Sequence, residues 1–162
     1  MLEARSAGAW KKRMVVAQDG APVTTWSEGG WGGPGGFELD GRRYVISSTF
    51  LGSRYLLNSA PNEPVAEARR PGGRRWSLLV DGREHQFHRP LLGGGEHRLL
   101  VDGEQVGYVR KGSFRDPGLR AELPGIPLPA QVFVLVVIAL AEKRRSSGDM
   151  GSSSSSGGGG DG

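Results

Sequence analysis

The chain has 162 residues, enough for one ordinary domain with a sizeable core. It contains no cysteine, which excludes a disulfide framework and a thiolate zinc site. Its net charge of +4 is modest and carried mostly by arginine, which permits contact with phosphate groups but equally suits a scattered, solvated surface.

Residues 1–9 carry no strong structural pattern and are expected to form a flexible N-terminus ahead of a single domain over 10–145. Lys11-Lys12-Arg13 precede only Met14-Val15-Val16-Ala17 before Gln18-Asp19. That apolar run is shorter than the roughly 7–15 residues of a secretory h-region, so a cytoplasmic location is the expectation.

From Trp10 to Arg110 helical periodicity is weak, and short β-prone runs alternate with Gly, Pro and Asp turns, the spacing of a barrel or sandwich. Asp-Gly pairs occur at Asp19-Gly20, Asp40-Gly41, Asp81-Gly82 and Asp102-Gly103. Asp-Gly favours two-residue type I′ hairpins, in which both central residues need positive φ. A two-residue loop fixes the register. It sets Leu39 opposite Arg42 and Phe37 opposite Tyr44, then Leu78 opposite His85 and Trp76 opposite Phe87. In the last hairpin it sets Leu99 opposite Val106 and His97 opposite Tyr108. Each of these hairpins brings two rings face to face, a cross-strand pair worth ~0.2–1 kcal/mol. The hairpin at Asp19-Gly20 is less regular, because Pro22 removes a donor just past the turn.

Gly30-Trp31-Gly32-Gly33-Pro34-Gly35 formally satisfies G-x-G-x-x-G. A hairpin rather than a helix follows it, so it reads as a glycine-rich loop and not a dinucleotide site. Gly93–Gly95 reads as a second loop. Strands are expected at Arg54–Leu57 and Val65–Ala68, separated by the turn-rich NSAPNEP. In EARRPGGRRW, Arg69 and Arg70 end one strand while Arg74 and Arg75 start the next, so a short loop would gather four guanidiniums. Such forked donors suit an anionic ligand, and these four are the candidate contacts. The alternative for the same loop is a solubilising turn with charged strand ends.

His85, His88 and His97 are the conceivable metal ligands, but residues i and i+3 of a strand point to opposite faces, so His85 and His88 diverge. His85 and His97 are expected to pack in their hairpins and His88 to be exposed. No G-x-S-x-G elbow, P-loop or paired carboxylate stands out, so no catalytic residue, metal or cofactor is assigned.

The segment LPAQVFVLVVIALAEKRR, Leu128 to Arg145, is the most apolar. Thirteen helical residues, Pro129–Ala141, reach about 20 Å, short of a ~30 Å hydrocarbon core. Pro124, Pro127 and Pro129 cannot extend the helix upstream, and Glu142-Lys143-Arg144-Arg145 ends the run downstream. Pro129-Ala130 suits a first helical turn, and the cations suit a last one. The reading is a helix over about 130–144, apolar on every side and therefore enclosed. Its core residues are Val132, Phe133, Val134, Leu135, Val136, Val137, Ile138 and Leu140. Alternatives are a strand, from the β-branched content, or a transmembrane segment over 123–141 that tethers a small protein. Residues 146–162, SSGDMGSSSSSGGGGDG, are expected to be a disordered tail.

Many short antiparallel strands followed by one all-apolar C-terminal helix resembles the tubby C-terminal-like fold of tubby domains, phospholipid scramblases and LURP-one-related proteins. The residues that carry the resemblance are FELDGRRYVISSTFLGSRYLL, VAEARR, RRWSLLVDGREHQF, LLVDGEQVGYVRKG and LPGIPLPAQVFVLVVIALAE. It implies a mainly β protein, an antiparallel barrel of roughly ten to twelve strands enclosing the helix. It also implies a non-enzymatic role in contact with anionic phospholipid headgroups or a protein partner, peripheral to the membrane. No position matches the tubby phosphoinositide motif, so none is carried over. A monomer is expected. A nucleic-acid-binding barrel is the further alternative, because Trp76, Phe87 and Tyr108 lie near arginines and rings can stack on bases.

Overall fold

A computed structural model describes residues 1–7, 12–29, 33–49, 52–92, 95–113 and 115–149. Gly30, Trp31 and Gly32 of the glycine-rich motif, Gly93 and Gly94, and the tail from 150 onward lie outside the described residues.

Twelve strands precede one helix. They are β1 Leu2–Ala7, β2 Arg13–Gln18, β3 Ala21–Ser27, β4 Gly36–Leu39, β5 Arg42–Ser48 and β6 Arg54–Ser59. Then come β7 Glu63–Arg69, β8 Arg75–Val80, β9 Arg83–His88, β10 His97–Val101, β11 Glu104–Lys111 and β12 Leu119–Glu122, followed by α1 Leu128–Asp149. Each strand pairs antiparallel with its chain neighbours, and β1 pairs with β12 to close the barrel. Closure leaves no sheet edge unpaired.

The hairpin turns form as their chemistry requires. All four Asp-Gly pairs have positive φ at both residues, for example 50° at Asp81 and 73° at Gly82. The expected registers hold in two hairpins, where Phe37 stacks on Tyr44 at 5.1 Å and Trp76 on Phe87 at 4.1 Å. The last hairpin differs. Its ladder slips between Leu99 and Leu100, so His97 faces Val109 and Arg98 faces Tyr108. The bulge sits beside Gly107, where a Cβ would overlap the Glu122 carbonyl oxygen, so the missing side chain lets two backbones approach. The Asp19-Gly20 hairpin also bulges, between Val16 and Ala17, which accommodates Pro22.

Two expected boundaries move. The N-terminus is not a flexible lead-in, because Leu2–Ala7 is β1 and supplies the pairing that seals the barrel. Leu2 and Ala4 point into the core. The helix also outlasts its expected end, running through the first residues assigned to the tail to reach Asp149.

Val132 to Ile138 are all buried, and inward residues of the strands complete one core around them, including Phe37, Tyr55, Leu57, Trp76, Leu78, Phe87 and Leu99. An all-apolar helix needs a surrounding surface, and the closed sheet is that surface. The apolar part of the 123–141 segment is thus covered by protein, which overturns the tether reading. No helix among the described residues is long and apolar enough to cross a membrane. Leu140 differs from the other expected core positions: it is only partly buried, near the helix exit.

Up-and-down order gives the barrel two unlike ends. At one end lie the Asp-Gly turns, the 60–62 turn and the entry to the helix. At the other lie the ends of β1, β3, β5, β7, β9 and β11 with the longer connections that leave them, and the helix C-terminus.

Candidate functional site

The topology sorts charge. Asp19, Asp40, Asp81 and Asp102 occupy the turns of the helix-entry end. Lys12, Arg70, Arg74, Arg89, Arg115, Lys143, Arg144 and Arg145 lie in connections of the helix-exit end or on the last described turns of α1. The carboxylates Glu28, Glu96, Asp116 and Glu142 are interspersed. Glu96 binds Arg98 and Arg110, and Asp116 binds Arg5 and Arg120, so these two serve strand arginines.

The four arginines expected to gather around the 70–74 loop are divided by the structure. Arg69 turns back along β7, its Nε 2.9 Å from Glu67 Oε1, and Arg54 binds the same oxygen from β6. These pairings hold the Glu67 carboxyl below its usual range, the Arg69 hydrogen bond acting most strongly. Arg75 lies on the outer face, in a groove of about 330 Å³ beside Gln86, His88, Leu100 and Asp102. Arg70 and Arg74 remain exposed on the loop. The loop is a built turn: Arg70 has φ 56°, and its carbonyl accepts from the Gly73 amide at 2.9 Å.

The helix end is tied into this rim. Arg145 Nη2 donates to the Gly72 carbonyl at 3.3 Å, and Lys111 Nζ meets Glu142 Oε2 at 2.7 Å. Arg89, whose amide donates to the Arg74 carbonyl at 2.6 Å, has its guanidinium pKa lowered, first by burial and then by the Arg145 charge, with Arg74 adding to it. Arg89 therefore senses the charges of both other guanidiniums. On the adjoining 89–96 connection Leu91 and Leu92 are 72% and 100% exposed.

A second feature of the rim is a cleft of about 350 Å³ beside the helix exit. Pro34 and Leu140 give it apolar walls, and Ser48, Tyr55, Arg144 and a Lys143–Glu28 pair give it polar ones. The Arg144 guanidinium lies against Gly52, where a Cβ would overlap it and stand 3.0 Å from the Tyr55 hydroxyl. Burial raises the Tyr55 pKa, with Arg144 opposing, so the phenol keeps its proton at neutral pH. The cleft is not apparent in the sequence, because its parts are scattered over 28–144. Gly52, within a strand-rich run, was its one local signal.

The histidines do not converge: His97 is buried, and His85 and His88 are half-buried, His88 more so than expected. No group of three or more His, Cys, Asp or Glu able to hold a metal occurs among the described residues. Trp76 and Phe87 are buried against each other, and Tyr108 is half-buried under the Arg110 guanidinium at 4.5 Å. No family model matches the chain, and no curated protein or solved structure matches it either.

Proposed function

We propose that the chain is a non-enzymatic tubby C-terminal-like module that docks its helix-exit rim on anionic phospholipid, peripheral to the membrane. The observation that carries this reading is the combination on one end of the barrel: Arg70, Arg74, Arg89, Arg144 and Arg145 beside the bare Leu91-Leu92 pair. A headgroup layer offers both complements, phosphate for guanidinium and an acyl boundary for leucine. A cation near an anionic leaflet contributes about 1 kcal/mol, so several together with two inserted leucines support measurable binding. The opposite end, with its Asp-Gly turns, would be repelled, which sets the orientation. A base-stacking role has less support, since it needs exposed rings and Trp76 and Phe87 are buried.

Vesicle flotation tests the reading. The full chain is expected to float with phosphatidylserine-containing vesicles and not with phosphatidylcholine alone, and added salt should weaken the binding. Equal absence from both vesicle fractions would remove the proposal.

A further inference from the structure

We infer that the cleft between Gly52, Tyr55 and Arg144 is a discrete binding site for one phosphate monoester group. The inference deepens the membrane reading and rests on it only in that this end of the barrel meets phosphate.

Three features of the cleft point to a tetrahedral oxyanion. Arg144 has no carboxylate partner among the described residues, whereas Lys143 beside it is held by Glu28 at 3.3 Å. The cleft thus contains one carboxylate already engaged by an ammonium and a guanidinium left to face a ligand. Next, the donor-bearing residues come from three elements: Arg144 from the helix end, Tyr55 from β6 and Ser48 from the end of β5. A planar carboxylate offers two oxygens, while a phosphate monoester offers three terminal oxygens in a pyramid, one for each of three donor-bearing residues. Finally, Gly52 makes the room. With φ 66° and no side chain, it lets the guanidinium lie against its backbone beside the phenol, a place a Cβ would fill.

Leu140 and Pro34 limit the rest of the ligand. They form an apolar wall in a space of about 350 Å³, enough for a phosphate and a short uncharged portion such as glycerol. The same chemistry is presented by a soluble glycerol phosphate and by a phosphatidic acid headgroup, so the test must separate the two sources.

The full chain is titrated with glycerol 3-phosphate and followed by the backbone amide spectrum. Saturable shifts centred on Ser48, Gly52 and Tyr55 are expected. Arg144→Gln should weaken the affinity by about tenfold or more, as for loss of a charged hydrogen bond, and Tyr55→Phe by a smaller factor. Arg42→Gln, exposed at the opposite end of the barrel, should leave the affinity unchanged. Arg144 is exposed, so its replacement should not impair folding, and an unchanged melting curve verifies this. The site is overturned if wild type shows no saturable shifts, or if Arg144→Gln binds as wild type does. Flotation with phosphatidic acid vesicles separates this result from the wider reading. Vesicle binding that Arg144→Gln does not alter keeps the docking rim and removes the cleft. Arg144-dependent binding of glycerol 3-phosphate without flotation keeps the cleft and removes the membrane.

Discussion

His97 makes the stability of this barrel depend on pH between about 4 and 6.5. The ring is 1% exposed, and its Nδ1 accepts a hydrogen bond from Trp76 Nε1 at 3.0 Å. The neutral ring therefore carries its proton on Nε2, which is buried without a partner. Protonating Nδ1 would break the Trp76 bond and bury a cation. Burial first, then the Arg89 charge, lower the pKa from 6.5 to about 4, with Arg145 acting alike and Glu142 acting oppositely. The unfolded chain takes up this proton near pH 6.5 and the folded chain only near pH 4. Between those values the unfolded state binds more protons, so stability is full above 6.5 and falls as the pH drops toward about 4. The whole loss is about 3 kcal/mol, of which about 2 kcal/mol has gone by about pH 5. Urea unfolding of wild type and His97→Gln at about pH 7.5 and about pH 5 measures it. Glutamine keeps an acceptor for Trp76 but does not titrate, so the variant should lose about 2 kcal/mol less than wild type over that interval. His85, also lowered by burial, contributes with the same sign in both proteins and cancels in the difference. Equal pH slopes for the two proteins would refute the burial argument.

Val136 sits at the centre of the buried helix, so Val136→Asp places an unpaired carboxyl in the core, a cost of several kcal/mol. No cooperative thermal transition is expected, and a normal melting curve would contradict the enclosed-helix structure. Deleting residues 1–7 removes β1 and unpairs β12 and β2. Amide exchange should then accelerate in Leu119–Glu122 and Arg13–Gln18 before the rest of the sheet, whereas unchanged protection would mean that β1 does not seal the barrel. Gly107→Ala should destabilise by about 1–3 kcal/mol, because its methyl would meet the Glu122 carbonyl. A shift in the urea midpoint checks this, and a neutral result would show that β12 can yield.

Features written in adjacent residues were legible from the chain. Asp-Gly commits two neighbouring torsions to positive φ, so the hairpins at Asp40-Gly41 and Asp81-Gly82, with the ring pairs they impose, follow from local sterics. The run from Val132 to Ile138 has no polar side, so it must be enclosed whatever encloses it. What depended on distant partners was not legible. Leu2–Ala7 carries no turn marker and becomes a strand because Leu119–Glu122, over a hundred residues away, needs a neighbour. The bulge at Leu99 accompanies the approach of Glu122 to Gly107, and it sets His97 opposite Val109 instead of Tyr108. EARRPGGRRW reads as one cluster of four charges, yet Glu67, which Arg54 also binds, and the outer groove take two of them away. The cleft of Gly52, Tyr55 and Arg144 exists only because the helix passes through the closed sheet and emerges beside the 49–53 connection. Torsional and apolar patterns act within a few residues and survive in the sequence, whereas pairing across the chain is decided by closure, which satisfies every strand at once.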